Sequence, residues 1–89
     1  MKSEINWLLQ VDNSVFKFLK KLTKNDRERI YSSIKKLEVD PYAGDIKKMK
    51  NAGDSWRLRI GSYRVFFEIH IEEKVIYVFH AERRTTTTY

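Results

Sequence analysis

At 89 residues the chain is expected to form one domain, residues 1–89, with a single two-layer core and no room for a second. A content of 42% hydrophobic and 13% aromatic residues with one Pro and three Gly excludes a disordered chain, and the absence of Cys excludes a disulfide framework or a thiolate metal site. The net charge of +6 and pI near 9.7 favour polyanionic partners such as RNA, DNA, an anionic membrane surface or an acidic protein, without choosing among them.

Lys2 and Glu4 flank a short alternating segment in place of an apolar leader, and no apolar run is long enough for a membrane span, so the cytoplasm is the expected location. With only two His left as soft ligands, no metal and no other cofactor is expected. Residues 4–11 alternate, with Ile5, Trp7 and Leu9 on one side, and read as a first strand. Asp12, Asn13 and Ser14 are helix N-cap residues, and Val15, Phe18, Leu19 and Leu22 follow at helical spacing. That stripe predicts an amphipathic helix with Lys17, Lys20 and Lys21 outward and Phe16 off the apolar face. After a break at residues 23–25, a second helix is predicted over residues 26–39, with Ile30, Ile34 and Leu37 inward and Asp40–Pro41 as its stop.

Two helices joined by a short break form a hairpin whose stripes need a sheet to cover. Residues 41–54 read as loop, with PYAG and NAGD as turn signals around Lys47, Lys48 and Lys50. Those lysines are first a solvated patch and, by their position before the next segment, candidate phosphate contacts. In residues 56–71, WRLRIGSYRVFFEIHI, the apolar positions alternate as Trp56, Leu58, Ile60 and then Tyr63, Val65, Phe67, Ile69, with Gly61 and Ser62 between them.

Gly at the first position of a two-residue connection suits a type II′ hairpin turn, and that choice fixes the register. Ile60 then faces Tyr63, Leu58 faces Val65 and Trp56 faces Phe67 on the buried side, while Arg59 falls opposite Arg64 and Arg57 opposite Phe66. Like charges directly opposite on a sheet are unfavourable by a few tenths to about 1 kcal/mol, so something must compensate. Either the side chains splay into water, or three guanidinium groups converge on an anion such as a phosphate. Residues 75–81 form a further strand with apolar residues on both faces, which leaves the direction of His80 open. Four Thr lead from Arg83 and Arg84 to Tyr89 as tail or strand continuation.

The order strand, helix, helix, antiparallel strands, together with WRLRIGSYRVFFEI and a late Arg and Tyr, resembles the RelE/ParE family of toxins over essentially the whole chain. The resemblance implies an α+β fold, an N-terminal strand and two-helix hairpin packed on a twisted antiparallel sheet. RelE-type members cut messenger RNA in the ribosomal A site and ParE-type members poison DNA gyrase; both are held by a co-encoded antitoxin. By resemblance, the catalytic basic positions fall on Arg57 and Arg59, the motif arginine on Arg64, the arginine after the last strand on Arg83, and the C-terminal tyrosine on Tyr89. Two departures from the pattern stand out: the Arg57/Arg59 pair is often lysine in the best-known branch, and Glu82 stands where many members have His or Lys.

Cleaving RNA through its own 2′-hydroxyl needs a base for that oxygen, neutralisation of the phosphorane and a proton for the leaving 5′-oxygen. Arginine suits the second task and is a poor base, so Arg57 and Arg59 are cast as phosphate clamps and Arg64 as the main stabiliser, with Arg83 near the leaving oxygen and Tyr89 at the 2′-hydroxyl or stacked on a base. His80 and Glu68, the latter on the arginine face by parity, are the candidate bases, although a lone His in a strand is more often structural. The expected partners are therefore a cognate antitoxin in a hetero-oligomeric complex, the ribosome and mRNA. The alternatives are a ParE-like, non-catalytic gyrase binder and an inactive toxin relic.

Overall fold

The computed structural model describes residues 7–49, 53 and 55–84. Its elements in chain order are strand β1 (Leu8–Val11), helices α1 (Asn13–Lys20) and α2 (Lys24–Lys36), and strands β2 (Ile46–Lys48), β3 (Ser55–Ile60), β4 (Tyr63–His70) and β5 (Val75–Arg83). The β1 alternation is as expected from Trp7 onward: Trp7, Leu9 and Val11 pack against the core while Leu8 is exposed. The Ile5 part of that strand lies outside the described residues.

Asp12 caps α1, accepting from the Ser14 backbone at 3.0 Å and from its hydroxyl at 2.6 Å. Val15 and Leu19 are buried, with Phe18 and Leu22 packed beside them. Thr23 caps α2 by accepting from the Asp26 N–H at 3.2 Å, so this helix begins two positions earlier than predicted. It also ends earlier, at Lys36. Leu37 is buried as predicted, but residues 37–39 form turns that lead the chain to the buried Pro41, before which helical geometry is disfavoured.

Tyr42, in the PYAG turn, stands edge-on to Trp7 and to Trp56, at centroid distances of 6.4 and 6.0 Å. This closes one end of the core.

The five strands form a single sheet in the order β1-β5-β4-β3-β2. The expected antiparallel sheet is formed by β5, β4, β3 and β2, and β1 joins it as an edge strand parallel to β5, which makes the whole sheet mixed. The β2 strand corrects the reading of residues 41–54 as loop. Three residues, IKK, are too short to display a period, and β2 forms because β3 offers it an edge. One sheet face packs on the helices: Val15, Leu19, Ile30, Ile34 and Leu37 meet Leu58, Ile60, Tyr63, Val65, Phe67, Ile69, Ile76, Val78 and Ala81. The other face is turned away from them.

The β3–β4 hairpin has the register that its turn dictates, from Ile60 opposite Tyr63 to Trp56 opposite Phe67. Gly61 takes φ +57° and Ser62 does not have a positive φ, as a type II′ turn requires. A Cβ at Gly61 would also lie 2.5 Å from Arg29 Nη2, so glycine here leaves room for the α2 side chain.

Between β4 and β5 the pairing slips by one residue: Phe66 faces His80 while Phe67 faces Val78, leaving Phe79 as the extra residue of a β-bulge. A bulge reverses the alternation beyond it. Ile76 and Val78 face the helices before it and Ala81 after it, so both faces of this strand look apolar in sequence.

Candidate nucleic-acid interface

The register assembles two rows of side chains across the open face. One runs Arg59, Arg64, Glu82 on β3, β4 and β5, with Asp45 beside Arg59 at the start of β2; the other runs Lys47, Arg57, Phe66, His80. Neighbouring strands lie about 4.8 Å apart, so each row is continuous.

In the first row the like-charge pair is relieved from both ends. Arg59 Nε lies 3.8 Å from Asp45 Oδ2, and Arg64 Nη1 lies 3.7 Å from Glu82 Oε2. All four side chains are partly solvated, so each pair contributes at most about 1 kcal/mol and is readily exchanged for another anion. The compensation required by the sequence thus comes from two carboxylates. They hold the arginines apart and leave them available.

Glu82 has a second partner. Its Oε1 lies 3.1 Å from His80 Nε2, which settles the direction of His80 onto the arginine face. In the neutral imidazole, Nε2–H donating to Glu82 leaves the basic lone pair on Nδ1. Glu68 is on the same face, as parity predicted, but is bonded to His70 Nε2 at 2.8 Å and lies opposite Ser55 and Tyr77, farther along the strand.

In the second row Lys47 lies opposite Arg57, and a cleft of about 310 Å3 at the sheet edge is lined by Lys47, Lys48, Met49 and Arg57. Arg57 Nε is buried without a hydrogen-bond partner, so its guanidinium is lodged in the row. Lys48 lies opposite Trp56 and so alternates to the other side, dividing the lysine cluster. Lys50 and Tyr89 lie outside the described residues.

Arg83 corrects the sequence reading. The bulge turns it to the helix face, opposite Tyr63, where its Nη2 donates to the Tyr63 hydroxyl at 3.0 Å and its guanidinium lies 5.1 Å from the ring centroid. That hydroxyl donates in turn to Asp26 at 2.7 Å. The bond to Asp26, followed by burial, raises the phenol above its ordinary value, so the network keeps its proton at neutral pH.

By register Arg83 therefore falls on the opposite face from Arg59 and Arg64. Arg84 returns to the hairpin tip: its backbone N–H donates to Ser62 O at 2.6 Å and Nη1 to Gly61 O at 3.4 Å.

The open face thus brings together Arg57, Arg59, Arg64, Lys47 and His80. Glu82 as the shared partner and the Lys47–Arg57 row were not found by sequence reasoning. The spacing of His80 and Glu82, two apart on a strand, was the signal for the first; the second depended on β2.

A family model described as ParE toxin of type II toxin-antitoxin system, parDE, matches residues 6–85. A Methanocaldococcus jannaschii chain that carries the name toxin RelE1 is 27% identical over 79 residues, spanning 85% of this chain and 88% of that one. The RelE–RelB complex from Pyrococcus horikoshii superposes with a TM-score of 0.79 and 26% identity, covering 92% of this chain and 99% of that chain. The isolated E. coli RelE toxin shares the fold with a TM-score of 0.76 at 18% identity, covering 91% of this chain and 87% of the other.

Proposed function

The chain belongs to the ParE toxin family of type II toxin-antitoxin systems, and we propose that it is an mRNA endonuclease that works in the ribosomal A site. The observation that carries this reading is the Arg59–Arg64 pair beside the His80–Glu82 pair on one open face. The proteins it is similar to include a chain named toxin RelE1 and a RelE toxin in complex with RelB.

In the reaction, His80 Nδ1 takes the proton of a 2′-hydroxyl, whose oxygen attacks the adjacent phosphorus. Arg59 and Arg64 exchange Asp45 and Glu82 for the phosphoryl oxygens and neutralise the added charge of the phosphorane. The P–O5′ bond breaks, leaving a 2′,3′-cyclic phosphate and a 5′-oxygen that is protonated by water to the 5′-hydroxyl. Arg57 and Lys47 hold the neighbouring backbone. Arg83 has no part in these steps, since it is engaged with Tyr63 on the other face. Alignment of the 2′-oxygen falls to the ribosome, which makes free RNA a poor substrate.

The proposed regulator is an antitoxin whose acidic, partly disordered segment covers the cationic rows and is electrostatically matched to the +6 chain. The proposed location is the cytoplasm.

A second reading is favoured by the description of the matched family: a ParE-like protein that inhibits gyrase by binding, with the arginines as docking contacts. Cleavage mapping on translating ribosomes, with free RNA and gyrase supercoiling assayed in parallel, separates the two. Cuts in the A-site codon that vanish in Arg64→Ala support the nuclease. Inhibited supercoiling without cuts supports the binder, and silence in both assays indicates an inactive relic.

A further inference from the structure

Four aromatic rings lie on a face that the core does not use. His80 stacks on Phe66 with centroids 5.5 Å apart and planes 11° from parallel; Phe66 also meets Phe79 at 6.3 Å, and Phe79 meets Tyr77 at 6.3 Å. The bulge builds this ladder, because it sets two consecutive β5 residues, Phe79 and His80, beside the one β4 residue Phe66. At its far end Tyr77 is tied down by donating to Asp12 at 3.0 Å. At its near end the His80 side chain is 49% exposed. Folding alone does not require rings here: the core is complete on the helix side, and Phe66 stands in the same row as Arg57 and Lys47.

We infer that the Phe66–His80 pair is a stacking platform for one base of the bound RNA, adjacent to the cations that take its phosphates. The inference rests on the mRNA reading above and adds a base subsite to it. A nearly parallel ring pair, fixed by the bulge and buttressed by Phe79, presents a rigid π-surface at little entropic cost. The row supplies the phosphate contact one strand away, so a single nucleotide spans Arg57 and the platform.

Phe66 has no polar atom, so its half of the platform senses stacking area and not base-edge pattern. The codon position seated there is consequently biased towards purines, whose larger rings stack more strongly.

The test uses ribosomes programmed with a short mRNA carrying 2-aminopurine at each A-site codon position in turn. Binding of the protein is followed by co-sedimentation and stacking by fluorescence quenching. Wild-type protein should quench the probe at one position, Phe66→Leu should lose that quenching, and Phe66→Tyr, which keeps the ring, should restore it. An abasic residue at that position should weaken wild-type binding by about tenfold and leave Phe66→Leu unchanged. Co-sedimentation without quenching, or full quenching by Phe66→Leu, overturns the platform while leaving the ribosomal reading intact. Failure of the wild-type protein to co-sediment overturns the ribosomal reading and the platform with it.

Discussion

Arg83 donates to the Tyr63 hydroxyl from the helix side of the sheet, although its neighbour Glu82 meets Arg64 on the open side. Two consecutive residues thus serve opposite faces. The first joins β5 to the start of α2 through Tyr63 and Asp26, and the second organises the cationic rows.

Removing the Arg83 guanidinium therefore tests packing. Arg83→Ala should lower stability by about 1 kcal/mol, read as a lower urea midpoint, while RNA binding stays near that of the wild type. A hundredfold loss of cleavage at unchanged stability would return Arg83 to the reaction.

Arg64 predicts the opposite pattern. Its side chain is 33% exposed and, among the described residues, its ion-pair partner is the loosely held Glu82 carboxylate, so Arg64→Ala should fold normally and lose the proposed cleavage by about two orders of magnitude or more. Cleavage at the wild-type rate would remove Arg64 from the site.

Glu82 is the carboxylate that a phosphate would have to displace from Arg64 in the proposed reaction. Glu82→Gln should strengthen binding to a polyanion such as heparin, with a higher eluting salt concentration, because a neutral amide no longer offsets the row. The same variant leaves His80 without its anionic partner, so tighter binding should accompany slower cleavage. Unchanged elution would show that the Arg64–Glu82 contact does not restrain the arginine.

Acid stability should report on Asp12. Hydrogen bonds from the Ser14 side chain, then from the Ser14 backbone and Tyr77, hold this carboxyl below its ordinary value. A carboxylate favoured by the folded state contributes fully above about pH 4, the unfolded value, and loses that contribution as pH falls through the lowered folded value. The urea midpoint of the wild type should therefore drop more steeply below about pH 4 than that of Asp12→Asn, which cannot titrate at this position. Parallel pH profiles for the two proteins would assign the acid sensitivity elsewhere.

The hairpin register has its own check. Leu58 and Phe67 are buried to 5% and 0% exposure, so truncating either to Ala should cost roughly 2–5 kcal/mol through the cavity left behind. A cost near zero at both positions would be incompatible with the core assigned to this face.

The parts of the fold that could be read in the sequence are those governed by local chemistry. Gly61–Ser62 admits one tight turn, and from it follows every pairing between β3 and β4, including Arg59 against Arg64. The α1 cap and the helical stripes likewise follow from Asp12 and the spacing of Val15, Leu19, Ile30 and Ile34, whereas Thr23, the cap of α2, falls in the predicted break.

What remained hidden depended on neighbours. The β2 strand has three residues and exists only because β3 has a free edge, so Lys47 could not be aligned with Arg57 in advance. The bulge at Phe79 arises from packing β5 between two strands, and no residue near it announces a break in alternation. Arg83, expected beyond the last strand and placed near the leaving oxygen only by resemblance, instead continues β5 opposite Tyr63, and His80 had no assigned direction.

The sheet order carries a consequence for how the protein is made. Among the described strands, β5 is the last to be synthesised, yet it lies inside the sheet between β1 and β4 and is the sole neighbour of β1. During elongation, β1 has no strand to pair with, and the rows on the open face lack His80 and Glu82. The nascent chain therefore holds a cationic hairpin without its β5 neighbours, and closure of this long-range pairing is expected to come late in folding. Competence is deferred until residues 75–83 have emerged.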